Sequence, residues 1–321
     1  MAWRPLAMVT VAHAEFVSSD PGVSGALSVA RFASLLGVLV LCGGVAFLTL
    51  AWPAGAGVAA ARRLLWSAWL LGTAGTLAAL ALSGPASRRL PMTSAVRTGV
   101  LRETLGTNAG HAWAARLLLC LLAVPVLRAL STQGRRAVRS VPWCIGAIAV
   151  GGALVRSTSL ASHATEGSNE LLGVVADAVH VGSAAVWLGG LAVLALVVLP
   201  RRDADELARV VPRFSSLAAV AVAVVIAAGT VLAWELVGGM QALVTTRYGR
   251  LLLVKIALVA GALAAARTSK AWVDRRLALT SVIGCDRAVI TPFVLSVVTE
   301  VVLAGGVLTA ASLLIATSPA R

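Results

Sequence analysis

Acid and tyrosine are scarce in this chain: 13 Asp and Glu, one Tyr, and 12% charged residues in all across 321 positions. A soluble globular domain carries about a quarter charged residues, so a water-facing surface of ordinary composition is excluded. Cysteine is scarce as well. Cys42, Cys120, Cys144 and Cys285 are scattered with no CxxC, which argues against a disulfide framework and a thiolate metal centre. Free cysteines in apolar helices ordinarily fill core space. Four His and four Met form neither HExxH nor a methionine cluster, and no nucleophile elbow or phosphate loop occurs. The chain therefore reads as a non-enzyme.

What is abundant is apolar sequence, 59% of residues with a mean hydropathy of +0.92. Its runs approach the ~20 residues that cross a bilayer. They are continuous and rich in Ala, Leu and Val rather than alternating with period two, which excludes a membrane β-barrel. The expected fold is an all-α polytopic membrane bundle of about eight helices, at 28–51, 63–83, 111–130, 141–157, 171–199, 213–236, 249–267 and 289–316. The formal net charge of +14 sits in short loops, where arginine sets topology rather than binding nucleic acid. The loops after the odd spans hold fifteen Arg and Lys against five in the even loops. The protein is thus expected in the cytoplasmic membrane with odd loops inside and both termini outside. Trp52, Trp66, Trp69, Trp143 and Trp272 fall near inner ends and Trp113 and Trp234 near outer ends, as an interfacial belt would. Residues 1–27 read as an external tail. Its start resembles a weak signal peptide with Ala12-His13-Ala14 as the cleavage site, but an uncleaved tail is the simpler reading.

The two halves overlay. Cys42-Gly43-Gly44 matches Leu188-Gly189-Gly190, Ala74-Gly75-Thr76 matches Ala228-Gly229-Thr230, and Gly110 with Arg116 matches Gly249 with Lys255. The pattern predicts two four-helix units in one orientation, 28–157 and 158–321. On this overlay Ser34 stands where His180 does and Arg31 where Asp177 does.

The polar equipment lies in Leu171–Pro200, an apolar stretch interrupted by Asp177, His180 and Trp187. Positions 173, 177, 180, 184, 187 and 191 form one helical stripe, which is expected to face protein. An ionisable side chain within a bilayer costs ~2.5–3.5 kcal/mol on insertion scales and marks a pathway or site by default. Asp177, at i−3, is placed to accept the second imidazole N–H of His180, as a carboxylate behind a metal-bound His does. The bland alternative is a satisfied polar core residue. Lys255 in the seventh span and Glu300 in the eighth are further intramembrane charges, neutralised by pairing with each other or with Asp177. Snorkelling serves Lys255 and Glu235 as well. His13, His111, His163 and His180, with Met8, Met92 and Met240, all fall on the external side. Imidazole and thioether are donors suited to copper.

The order Ser162-His163-Ala164, His180, Trp187-Leu188-Gly189-Gly190, Arg213-Phe214-Ser215, Gly229-Thr230, Thr245 to Lys255 and Glu300 resembles the copper-resistance protein D (CopD) family. The likeness covers Ser157 to Pro319, and the first half more loosely. Ser162 stands where the family often has Gly. The resemblance implies an inner-membrane protein that moves copper ion inward or supplies it to cuproenzymes, beside a periplasmic or extracellular copper-binding partner. It implies roles for His163, His180, Trp187, Lys255 and Glu300, with His111 as a further candidate metal ligand.

Four readings stand at this point. In the first, His163 captures copper, aided by His111, and passes it to His180 and on past Glu300. In the second, the protein donates copper to a respiratory oxidase without transporting it. A haem-binding electron carrier would need His pairs at matched depth, and a ligand-free membrane subunit would need none of these residues.

Overall fold

The computed structural model describes residues 21–159, 170–237, 240–246, 249–264, 299, 302–303 and 305–310. Among them the fold is an all-helical membrane bundle. Ten helices run in chain order: α1 (Pro21–Leu50), α2 (Ala59–Arg88), α3 (Thr98–Leu105), α4 (Asn108–Gln133), α5 (Arg135–Val138), α6 (Val141–Ser159), α7 (Glu170–Val193), α8 (Leu199–Arg201), α9 (Ala204–Val237) and α10 (Met240–Thr245). A further helical stretch, α11, spans 249–264. Six described segments are long and apolar enough to cross a membrane: Gly22–Leu50, Ala59–Arg88, Asn108–Gln133, Val141–Thr158, Leu171–Arg201 and Asp205–Glu235. They coincide with the first six expected spans, and α11 falls in the seventh.

The helix ends follow from local chemistry. Pro21 opens α1, where its missing N–H costs nothing. Arg89 closes α2 in the left-handed region at φ 57°, its N–H donating to the Pro85 carbonyl. The Thr107 hydroxyl accepts from Gly110 N at 3.0 Å and caps α4. Between α7 and α8 the turn Leu194–Val198 widens to a π-helix. Pro200, lacking an N–H, cannot bond the carbonyl four residues back, and the wider turn absorbs that loss. The chain then reverses at Arg202, φ 53°. α9 begins nine residues before the expected start, carrying Arg209 and Arg213 into the helix. Asp203 Oδ1 accepts the Glu206 N–H at 3.0 Å, and Asp205 and Glu206 suit the positive end of the helix dipole.

At the centre of the bundle α1 packs on both α2 and α7, and α7 packs on α9; α4 joins α2 to α6. The α1–α7 crossing is held open for close approach by glycine. A Cβ on Gly43 would fall 1.8 Å from the Ala185 carbonyl oxygen, and one on Gly189 2.4 Å from that of Leu39. Gly43 and Gly189 also face each other, a Cβ on the latter falling 2.7 Å from Gly43 Cα. These contacts are reciprocal: Leu39 and Ala185 are the same number of residues apart as Gly43 and Gly189. Small residues of this kind let transmembrane backbones meet without side chains between them.

Two tryptophans depart from the expected belt. Trp52 and Trp113 are buried in the bundle, the first with its indole N–H donating to Glu206 Oε1 at 2.9 Å. Arg201 Nε donates to the other oxygen of Glu206 at 2.8 Å. Trp66, Trp69 and Trp143 donate to Ser131 Oγ, the Cys120 carbonyl and the Val126 carbonyl. They tie neighbouring helices together, since an indole N–H near hydrocarbon finds its acceptor in protein. Trp234 is exposed, as a belt residue should be. Glu235 is buried rather than snorkelling. Trp272 lies outside the described residues.

Candidate metal site

The stripe on α7 faces inward as its spacing predicts. Trp187 and Leu191 are buried in the main apolar core, and Asp177 and His180 are partly shielded. Close packing of α7 on α9 brings the His180 ring onto Gly229, where a Cβ would lie 3.1 Å from Cε1 and 3.2 Å from Nδ1. The missing side chain lets the ring reach the α9 backbone. Nδ1 lies 2.9 Å from the Val225 carbonyl oxygen. A carbonyl only accepts, so Nδ1 carries the proton and donates, and Nε2 is left as a lone pair. That lone pair faces Lys255 of α11, whose Nζ is 3.4 Å away. The Asp177 carboxylate acts electrostatically on the same ammonium.

The tautomer is therefore fixed by Val225, not by Asp177. The carboxylate serves the lysine instead, one of the two pairings open to Lys255 from the sequence. The result is a backbone-anchored imidazole with its basic nitrogen pointing into the bundle at a cation. Such a nitrogen binds a proton donor or a borderline to soft metal ion, and the bond behind it holds the ring in orientation.

His111 sits in the first turn of α4 and is exposed. Among the described residues no hydrogen bond joins it to His180 or Lys255. His163 and Glu300 lie outside the described residues, as do His13 and Met8. Among the described residues, too, no three His, Cys, Asp or Glu side chains converge as a metal centre would require. The thiols of Cys42 and Cys144 line a separate apolar cavity of about 510 Å³ between α1, α4, α6 and α7. His180 takes no part in that cavity's wall.

The corresponding place in the first half is polar but carries no imidazole. Ser34 Oγ and Thr76 Oγ1 lie 2.8 Å apart. Buried Arg116 donates through Nη1 to Ser34 Oγ at 3.2 Å and through Nε to Ser157 Oγ at 3.0 Å. Its Nη2 donates to the Ser157 carbonyl, and the guanidinium stacks 4.8 Å from the Trp113 ring centroid. Gly75 lies against the backbone at Ser34, as Gly229 lies against His180. In the sequence Arg116 is marked only as the counterpart of Lys255 in the overlay of halves; Ser157 and Trp113 carry no signal as its partners.

Comparison with known proteins bears on the second half. Residues 208–314 match the family model described as copper resistance protein D. That segment is similar to the CopD family. Over 170 residues the chain is 33% identical to the copper transport protein CutJ of Bacillus subtilis (strain 168), an alignment covering 51% of this chain and 31% of that protein. The chain thus spans about a third of the relative's length. No solved structure matches significantly. The matched segment contains Val225, Gly229 and Lys255, three of the groups that frame His180, while His180 itself lies before it.

Proposed function

We propose that this membrane protein takes copper ion across the cytoplasmic membrane, with His180 as its intramembrane ligand. The observation that carries the reading is the His180 ring: Nδ1 is tied to the Val225 carbonyl, and Nε2 keeps a lone pair within the bundle that a metal can take over from Lys255. The segment similar to the CopD family and the named copper transport relative supply the metal's identity. In this reading His163, helped by His111, captures copper at the external end, which a periplasmic or extracellular copper-binding protein supplies. Two four-helix units, 28–157 and 158–321, meet at the α1–α7 crossing, and only the second has a ligand. Trp187 closes the core below His180, and onward passage past Glu300, outside the described residues, is part of the proposal.

The test is metal analysis of the purified full-length chain beside His180→Ala and His163→Ala, together with cell copper in strains with and without the protein. Copper bound by the wild type and lost in His180→Ala, with lower cell copper in the deletion, is expected. Equal copper in all strains and proteins sinks the proposal. An oxidase defect with normal cytosolic copper assigns the protein instead to copper donation.

A further inference from the structure

A second cavity, of about 410 Å³, opens between the start of α1, the end of α2 and the start of α4. Its walls include Arg31, Arg88, Ser83, Ser87, Thr104 and Thr107 and, among the described residues, no carboxylate. The four hydroxyls are committed as donors to the carbonyls of Leu80, Gly84, Val100 and Thr104, at 2.8, 3.1, 2.7 and 2.6 Å. Among the described residues, the other donor-bearing groups on the wall are cationic or lie at a helix start. Arg31 Nε is buried and makes no hydrogen bond among the described residues. Arg88 pairs with Glu103 beyond the wall, an exposed contact of the weakly held kind. The cavity also reaches Thr107 and Ala109 at the N-terminus of α4. Thr107 caps the Gly110 N–H; the amides of Asn108 and Ala109 have no acceptor within the helix, and the dipole favours negative charge.

We infer that this cavity binds a phosphate-class oxyanion, held between Arg31, Arg88 and the start of α4. A buried guanidinium N–H left without an acceptor is costly, and a planar guanidinium pairs with phosphate oxygens through parallel bonds. The site lies where α2 ends and α4 begins, the depth at which a bilayer presents lipid headgroups. Free phosphate and a phospholipid headgroup share the chemistry. The charge logic inverts that of the other half, where Asp177 occupies the position matched to Arg31. The inference does not depend on the copper reading.

The experiment uses the full chain in a phosphate-free sugar detergent. Calorimetric titration with inorganic phosphate and native mass spectrometry after adding phosphatidylglycerol are run on wild type, Arg31→Gln and Arg31→Lys. One equivalent of phosphate, or one retained lipid, is expected for wild type. Arg31→Gln should weaken it by about tenfold or more, the scale of a lost charged hydrogen bond, and Arg31→Lys by less. Binding of phosphate alone identifies a free-anion site, and retention of lipid alone a headgroup site; either supports the inference. Absence of both, or equal binding by Arg31→Gln, overturns it. If Arg31→Gln does not fold, Arg88→Gln is judged by the same criterion.

Discussion

Lys255 is the residue whose replacement tests the site most sharply, because it stands where the metal would. Its Nζ is 3.4 Å from His180 Nε2, while a metal–imidazole bond is about 2.0 Å long. Both cannot occupy the one lone pair, so copper binding at His180 requires the ammonium to swing aside. If it retreats to about 6 Å from a monovalent copper ion, an effective dielectric of about 20 leaves a repulsion of about 2.8 kcal/mol, or roughly a hundredfold in affinity. Lys255→Met removes that charge and keeps a flexible apolar side chain. We expect it to bind Cu(I) up to about a hundredfold tighter than wild type, with Lys255→Arg unchanged or weaker. The double variant His180→Ala/Lys255→Met should lose the gain. The assay is competition with a chromophoric Cu(I) chelator on purified full-length protein, with a thermal melt to confirm folding. Equal or weaker binding by a folded Lys255→Met refutes the displacement argument, since it makes the lysine a copper ligand or a bystander rather than a competitor.

Two further substitutions probe the packing that positions the site. Gly189→Ala places a Cβ 2.4 Å from the Leu39 carbonyl oxygen. Neither backbone can yield, so folding stability should fall by about 3 kcal/mol, the upper end of the ordinary overpacking range, and the melting temperature with it. Gly152→Ala, with nothing within 4 Å, is the unaffected control. Gly229→Ala crowds the His180 ring at 3.1 Å and strains its bond to Val225. Losing that anchor costs about 1 kcal/mol, so copper affinity in the same chelator assay should fall by several-fold while the melt moves little.

The first six spans and the inward face of α7 were legible because bilayer length and helical period act within one segment; most of the eighth span, 289–316, lies outside the described residues. Asp177, His180 and Trp187 share a stripe by local geometry alone. The partner of His180 was not legible in that way. The i−3 rule pointed to Asp177, whereas Val225 and Lys255 reach the ring from α9 and α11, a consequence of how closely those helices pack. The start of α9 did have a signal: Asp203 followed three residues later by Glu206 has the spacing of a capping box, of which the structure forms the Asp203 half, yet apolar content begins only later and masked it. Trp52 and Trp113 were misread for a related reason. Position near a span end places an indole close to the interface, but whether it points to lipid or into the bundle depends on neighbours such as Glu206 and Arg116.

The two cations that the overlay of halves pairs, Arg116 and Lys255, show why the proposed units should differ in function. Arg116 is held on several sides by Ser34, by two atoms of Ser157 and by the Trp113 face. Releasing it means breaking charge-assisted bonds together and leaving a buried guanidinium without acceptors, which no incoming ion repays. Among the described residues Lys255 makes one 3.4 Å contact, with His180, and feels the Asp177 carboxylate. Its four-carbon stem lets the ammonium pivot while the backbone stays put. An incoming metal can take over the imidazole lone pair while Asp177 continues to neutralise the displaced charge. Ser34, in the place of His180, has only a hydroxyl already shared between Thr76 and Arg116. On this reasoning the first unit is locked as a scaffold against which α7 rests. Among the described residues, a cation exchange within the bundle is open at His180, where a lysine on a flexible stem faces an anchored imidazole.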